Sequence, residues 1–263
     1  MSNAKSAAAK KIVEGLRSNP SQALVIHYSR QDLMDNELGV KTPRIVAIMV
    51  KSIDGGHHAC FAIHHEAEKA QLIPEDIPDR YDFLEEKLLR SFNSFVQRNK
   101  GCKWIHWDMI DVHFSFEAIR HRYNVMIAEA EQGFQEIPNH NRINLNSLLK
   151  NIYGDNYEKE PQFENLMKTN NGGVCKNGFL ALEDEAQAFK NLEFPSVLES
   201  LRCKVNFLLE VVDKVISANL KVSSRYFVNK LRAFITHPVT ATIALILTLF
   251  GLILKIISLF SGG

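Results

Sequence analysis

The chain has 263 residues, 46% of them hydrophobic and 23% charged, with 31 Lys and Arg against 30 Asp and Glu. Those proportions suit a globular protein with room for one sizeable domain, and a net charge of +1 excludes a global field that would gather nucleic acid. Cys60, Cys102, Cys175 and Cys203 lie far apart with no CxxC pair. That spacing argues for a reducing compartment and against a disulfide framework or a zinc site.

Met1 to Lys11 is small, polar and basic and lacks the apolar run of a signal peptide. Lys10 to Arg17 reads as a short helix ended by Ser18-Asn19-Pro20. Ala23 to Tyr28 is an apolar run of strand length, and Arg44 to Lys51 is a second. Asp54-Gly55-Gly56 is a hairpin signal, and His58 to His64 alternates as a third strand. Three strands joined in this way predict an antiparallel meander. A helix follows, with Asp82 as its expected cap, Phe83, Leu84, Leu88, Phe92, Phe95 and Val96 recurring at helical spacing, and Asn99-Lys100-Gly101 as its stop. Lys103 to Trp107 is a fourth strand, expected parallel to the first because a crossover helix precedes it. From Asp111 the pattern is helical through Tyr123 to Ala130, and helical again from Ile143 to Ile152. Shorter helices are expected at Phe163 to Met167 and Glu183 to Phe189, and a long amphipathic one at Ser196 to Ala218.

The densest chemistry lies between Trp104 and Phe116, where His106, Asp108, Asp111 and His113 share a strand-to-helix junction. Three readings stay open. The cluster is a cation site, or it is part of a nuclease active site, or Asp111 caps the next helix while Trp104 and Trp107 fill the core. Arg120, His121 and Arg122 offer a small basic patch for phosphate, or a solvated helix face.

The order of elements, with His-x-x-x-x-Asp at His106 and Asp111 and a following helix that bears Phe116, resembles the ribonuclease-H-like fold of DEDD-type proofreading exonucleases. The resemblance covers about Ala23 to Tyr153. It implies an α/β fold, a ribonuclease-H-like mixed sheet with flanking helices. In that family the aspartate of the second motif binds a catalytic metal, and two ions clamp the scissile phosphate. Asp111 falls where that aspartate stands, which implies it as metal ligand and catalytic residue, with His106 and Asp108 beside it. The family's first motif, Asp-x-Glu, falls on His27 and Ser29, and its next aspartate falls near Asn144. The resemblance therefore implies a degenerate site that leans away from an enzyme, with no cofactor, a divalent metal entering only under the nuclease reading. Trp104-Ile-His-Trp-Asp-Met-x-Asp, Phe116-Glu-Ala-Ile-Arg-His-Arg-Tyr, and Leu148, Leu149, Tyr153 and Gly154 downstream also resemble a family of bacterial proteins, a likeness that implies no activity.

Val239 to Phe260 is apolar apart from Lys255 and a few hydroxyls. Its 22 residues match the roughly 20 that a helix needs to cross about 30 Å of hydrocarbon. Lys221, Arg225, Lys230 and Arg232 precede it, which predicts a single pass through the inner membrane with the N-terminal domain in the cytoplasm. Thr240, Ala244, Thr248, Gly251, Lys255 and Ser258 are spaced 4, 4, 3, 4 and 3 apart. That is one helix face of small and polar residues, suited to close packing of copies or to a narrow aqueous path. The expected organisation is a tail and short helix over 1–20, the α/β domain over 21–160, a helical extension over 161–235 and a transmembrane helix over 236–260.

The plan of one soluble domain plus one span resembles toxic effectors of bacterial antiviral defence. That resemblance implies homo-oligomers acting on the lipid bilayer, with a separate nucleic-acid-sensing protein, such as a short Argonaute, as partner. A membrane-tethered metal-dependent nuclease and a non-enzymatic membrane scaffold are the alternatives.

Overall fold

The structure is a computed structural model that describes residues 2–31, 43–111, 114–127, 133–170 and 178–224. It opens on α1 (Ser2–Ser18), which takes in the stretch expected as a tail. Alanine costs least to place in a helix, and Ala9 and Leu16 are buried, so the segment is held by packing as well as by propensity.

Five strands form one mixed sheet in the order β3-β2-β1-β4-β7. β1 (Ala23–Arg30) runs antiparallel to β2 (Ile45–Ser52), with Tyr28 facing Ile48, and β2 runs antiparallel to β3 (His58–Ala62), with Met49 facing Cys60. The turn between β2 and β3 is closed by Asp54, whose carboxylate accepts the Gly56 amide at 2.9 Å, and Gly55 takes φ +75° there. β4 (Lys103–His106) pairs parallel with β1, Leu24 beside Trp104, as its crossover helix α3 (Tyr81–Arg98) requires. The fifth strand, β7 (Arg142–Asn144), lies parallel to β4, with Ile105 beside Ile143.

Both faces of the sheet are covered, so β1 and β2 read as near-continuous apolar runs. Ala23, Val25, Met49, Ile105 and Ile143 face one core, shared with α5 (Leu145–Tyr153), α6 (Gln162–Thr169) and α8 (Phe194–Ile216). Leu24, Ile26, Tyr28, Ile48 and Trp104 face the other, under α3 and α4 (Phe116–Met126). Each large aliphatic or aromatic side chain buried in this way contributes about 1.5–3 kcal/mol. The remaining elements are α2 (Ile63–Lys69), a two-stranded ribbon of β5 (Ile110–Asp111) and β6 (Phe114–Ser115), and α7 (Leu182–Lys190).

Several local expectations change. The third strand stops at Ala62, and Ile63 and His64 open α2. Asp82 does not cap α3: it lies in the first turn and pairs with Arg44 at 2.5 Å. Asp111 does not cap α4 either. It belongs to β5, and the cap is Ser115, whose Oγ accepts the Ala118 amide at 3.0 Å. Cys60 and Cys102 carry free thiols, but Cys203 is disulfide-bonded, against the expectation of reduced cysteines throughout. Among the described residues no helix is long and apolar enough to cross a membrane. The expected span lies outside those residues, and so do Thr240, Ala244, Thr248, Gly251, Lys255 and Ser258.

Candidate functional site

Open α/β sheets bind ligands beyond the carboxyl ends of their parallel strands. At that end β1 presents His27 and Ser29, β4 presents His106 and Asp108, and β7 presents Asn144 with Asn146 just beyond. Asp108 takes φ +44°, a left-handed conformation that aspartate tolerates. The turn it makes is closed by His106, whose Nδ1 accepts the Met109 amide at 3.1 Å. Burial pushes the His106 imidazole down to about 4, the positive charge of Arg142 adding to this and Asp108 opposing it, so the ring is neutral at neutral pH.

Each oxygen of Asp108 is taken by an amide. Asn144 Nδ2 donates to Oδ1 at 2.9 Å and Asn146 Nδ2 donates to Oδ2 at 2.5 Å. Asn144 also caps α5 by accepting the Ser147 amide at 3.2 Å. Asn146 accepts the Tyr157 hydroxyl at 2.7 Å. Burial, reinforced by the nearby negative charge of Asp108, keeps that hydroxyl protonated. The Tyr157 backbone carbonyl separately accepts the Ser224 amide at 3.3 Å. Next to it the buried Glu158 accepts the Thr169 hydroxyl at 2.8 Å and the Ser223 amide at 3.3 Å. Tyr157 is thus held at both ends, its hydroxyl by Asn146 and its backbone by Ser224.

A second polar group lies at the end of β1. Ser29 Oγ donates to Glu185 Oε2 at 3.2 Å, and Lys204 Nζ pairs with Glu185 Oε1 at 2.8 Å. Glu185 comes from α7 and Lys204 from α8, and both are buried. The ammonium also lies 5.3 Å from the Phe179 ring centre. His27 stands between Phe114, edge-on at 5.4 Å, and Phe163 of α6, stacked at 6.4 Å. Its buried Nδ1 has no hydrogen-bond partner. Burial, then the charges of Lys204 and His106, pushes this imidazole down to about 3.

The sequence candidates are therefore only partly brought together. His106 and Asp108 share the end of β4. Asp111 is exposed on the β5–β6 ribbon, paired in register with Phe114. His113 lies outside the described residues. Arg120 and His121 line a surface cleft of about 380 Å³, where Arg120 pairs with Glu136. Arg122 leaves the patch. It is buried and forks onto Glu85 at 2.7 and 2.6 Å, and Arg44 approaches the same carboxylate at 3.3 Å. Its role is to neutralise a carboxylate that is itself fully buried.

Two divalent ions need several convergent carboxylates to hold them against phosphate. Among the described residues no group of three His, Cys, Asp or Glu converges to hold an ion. Asp108 is engaged by two amides, and an ammonium stands near the end of β1. These residues do not fit a two-ion centre. Sequence reasoning missed Asn146, Tyr157, Glu185 and Lys204. The signal for Lys204 was present, since Val197, Leu201, Lys204 and Leu208 place a charge on the apolar stripe of α8. Compared with protein-family models, with curated proteins and with solved structures, the chain matches none.

Proposed function

We propose that residues 21–160 form a ribonuclease-H-like domain that no longer cuts nucleic acid and instead controls a membrane segment. The whole would act as an effector of bacterial antiviral defence whose apolar helices assemble to perturb the inner membrane. The ribonuclease-H-like reading is supported by the strand order β3-β2-β1-β4-β7, with three antiparallel strands followed by two parallel ones. The observation that carries the non-catalytic reading is the Ser29–Glu185–Lys204 group. The helical extension delivers an ammonium to the end of β1, where the nuclease family needs carboxylates to gather cations.

The membrane reading rests on the length of Val239 to Phe260 and on its small-residue stripe. The partner class is a separate sensing protein, with nucleic-acid recognition on its side of the complex.

The test is expression of the full chain with a membrane-potential dye, alongside a cleavage assay with Mg²⁺ and Mn²⁺ on single- and double-stranded substrates. The proposal expects depolarisation without cleavage. Divalent-dependent cleavage that is lost in Asp111→Ala or Asp108→Ala would overturn it.

A further inference from the structure

At the opposite end of the same strands, α1 and the starts of β1, β4 and β7 line a cavity of about 670 Å³. Its two walls differ in chemistry. α1 supplies Ala8, Ile12 and Leu16, with the cationic Lys11 among them, and Ile12 is 38% exposed. The sheet side supplies Lys103, His140 and Arg142. Among the described residues no Asp or Glu lines the cavity. Arg142 is already neutralised by Glu117 and lies 4.9 Å from the Phe116 ring centre.

Lys103 is different. It is half-buried, and its ammonium donates to two neutral oxygens, the His140 carbonyl at 3.0 Å and Asn141 Oδ1 at 2.8 Å. Among the described residues no carboxylate lies within ion-pairing distance of it. An ammonium has three N–H donors, so one is left for a group in the cavity. A ligand carboxylate would take that third donor in a charge-assisted bond.

We propose that this cavity binds a small amphipathic carboxylate, an aryl or short acyl acid, with its apolar body against Ile12 and Leu16 and its anionic end on Lys103. The volume lies within the roughly 300–1,000 Å³ of small-molecule sites. Lys103, with Lys11 at the rim, beside an apolar wall and no lining carboxylate among the described residues suits an anionic end on an apolar body.

The experiment is isothermal titration of the full chain in lipid nanodiscs with 2-naphthoate, against its neutral isostere 2-naphthamide, with heats referred to empty discs. The expected result is preference for the carboxylate by about tenfold, abolished in Lys103→Met. Gly15 of α1 lines the cavity, and a Cβ built on it meets nothing within 4 Å. Gly15→Leu therefore places a side chain in the open space beside α1, and it should abolish binding of both probes while the thermal transition is kept. Equal binding of the two probes, binding that survives Gly15→Leu, or no heat from naphthoate at millimolar concentration would each overturn the proposal.

Discussion

The two ends of the parallel strands are built from the same β1, β4 and β7 but closed in opposite ways. At the carboxyl end, where α/β sheets ordinarily hold ligands, the chain meets its own polar groups. Asp108 is held by two asparagines, Ser29 by Glu185, and Glu185 by Lys204. At the amino end α1 lines a cavity, and among the described residues Lys103 has only neutral partners. The difference follows from what comes after the sheet in the chain. α6, α7 and α8 bring Phe163, Glu185 and Lys204 over the carboxyl end, whereas the seventeen-residue α1 lies beside the amino end and lines the cavity there. What is packed onto the end of a strand decides its chemistry as much as the residues on the strand itself.

The largest way to break this contrast is to remove one partner of the buried pair. Lys204→Ala leaves Glu185 charged and buried, and a loss of about 3–5 kcal/mol is expected by chemical denaturation. The double replacement Lys204→Met with Glu185→Leu should recover most of it, because desolvation of both charges is then avoided. Acid is the next lever. Free histidine takes up its proton near 6.5, but in the fold His106 resists until about 4 and His27 until about 3. Between those values the unfolded chain binds more protons, so stability is complete above about 6.5 and falls as pH drops. A loss of about 1–2 kcal/mol per histidine is expected from pH 7 to pH 5, and His106→Gln should flatten the profile. Asn146→Ala, which strands the buried Tyr157 hydroxyl, should cost about 1–3 kcal/mol. At the amino end Lys103→Met removes the bonds to the His140 carbonyl and Asn141 Oδ1 but no ion pair among the described residues, so a loss of about 1 kcal/mol or less is expected. A large loss there would mean that the two ends are closed alike.

Much of the sheet was legible in the chain. The apolar runs of β1 and β2, the Asp54-Gly55-Gly56 turn and the helical period of α3 fix the meander and the parallel fourth strand. β7 was not, because three residues that lead directly into α5 carry no period of their own, and Ile143 fits a helix as well as a strand. The β5–β6 ribbon was hidden for the same reason, and with it the true cap, Ser115. The site was half legible. His106 and Asp108 stand out locally, but the partners that decide their chemistry, Asn146, Tyr157 and Lys204, come from 38 or more residues downstream of Asp108. Arg122 was misread because its partner, Glu85, lies on another helix.

The central claim is that the activity resides in the membrane segment and not in the carboxylates of the α/β domain. It is tested most directly by the membrane potential of cells expressing three chains. These are the unaltered one, one carrying Asp108→Ala with Asp111→Ala, and one in which residues 239–260 are replaced by an unrelated leucine span. The account predicts depolarisation by the unaltered chain and by the double variant, and none by the span replacement. Depolarisation that survives the new span but disappears with the two aspartates would contradict it.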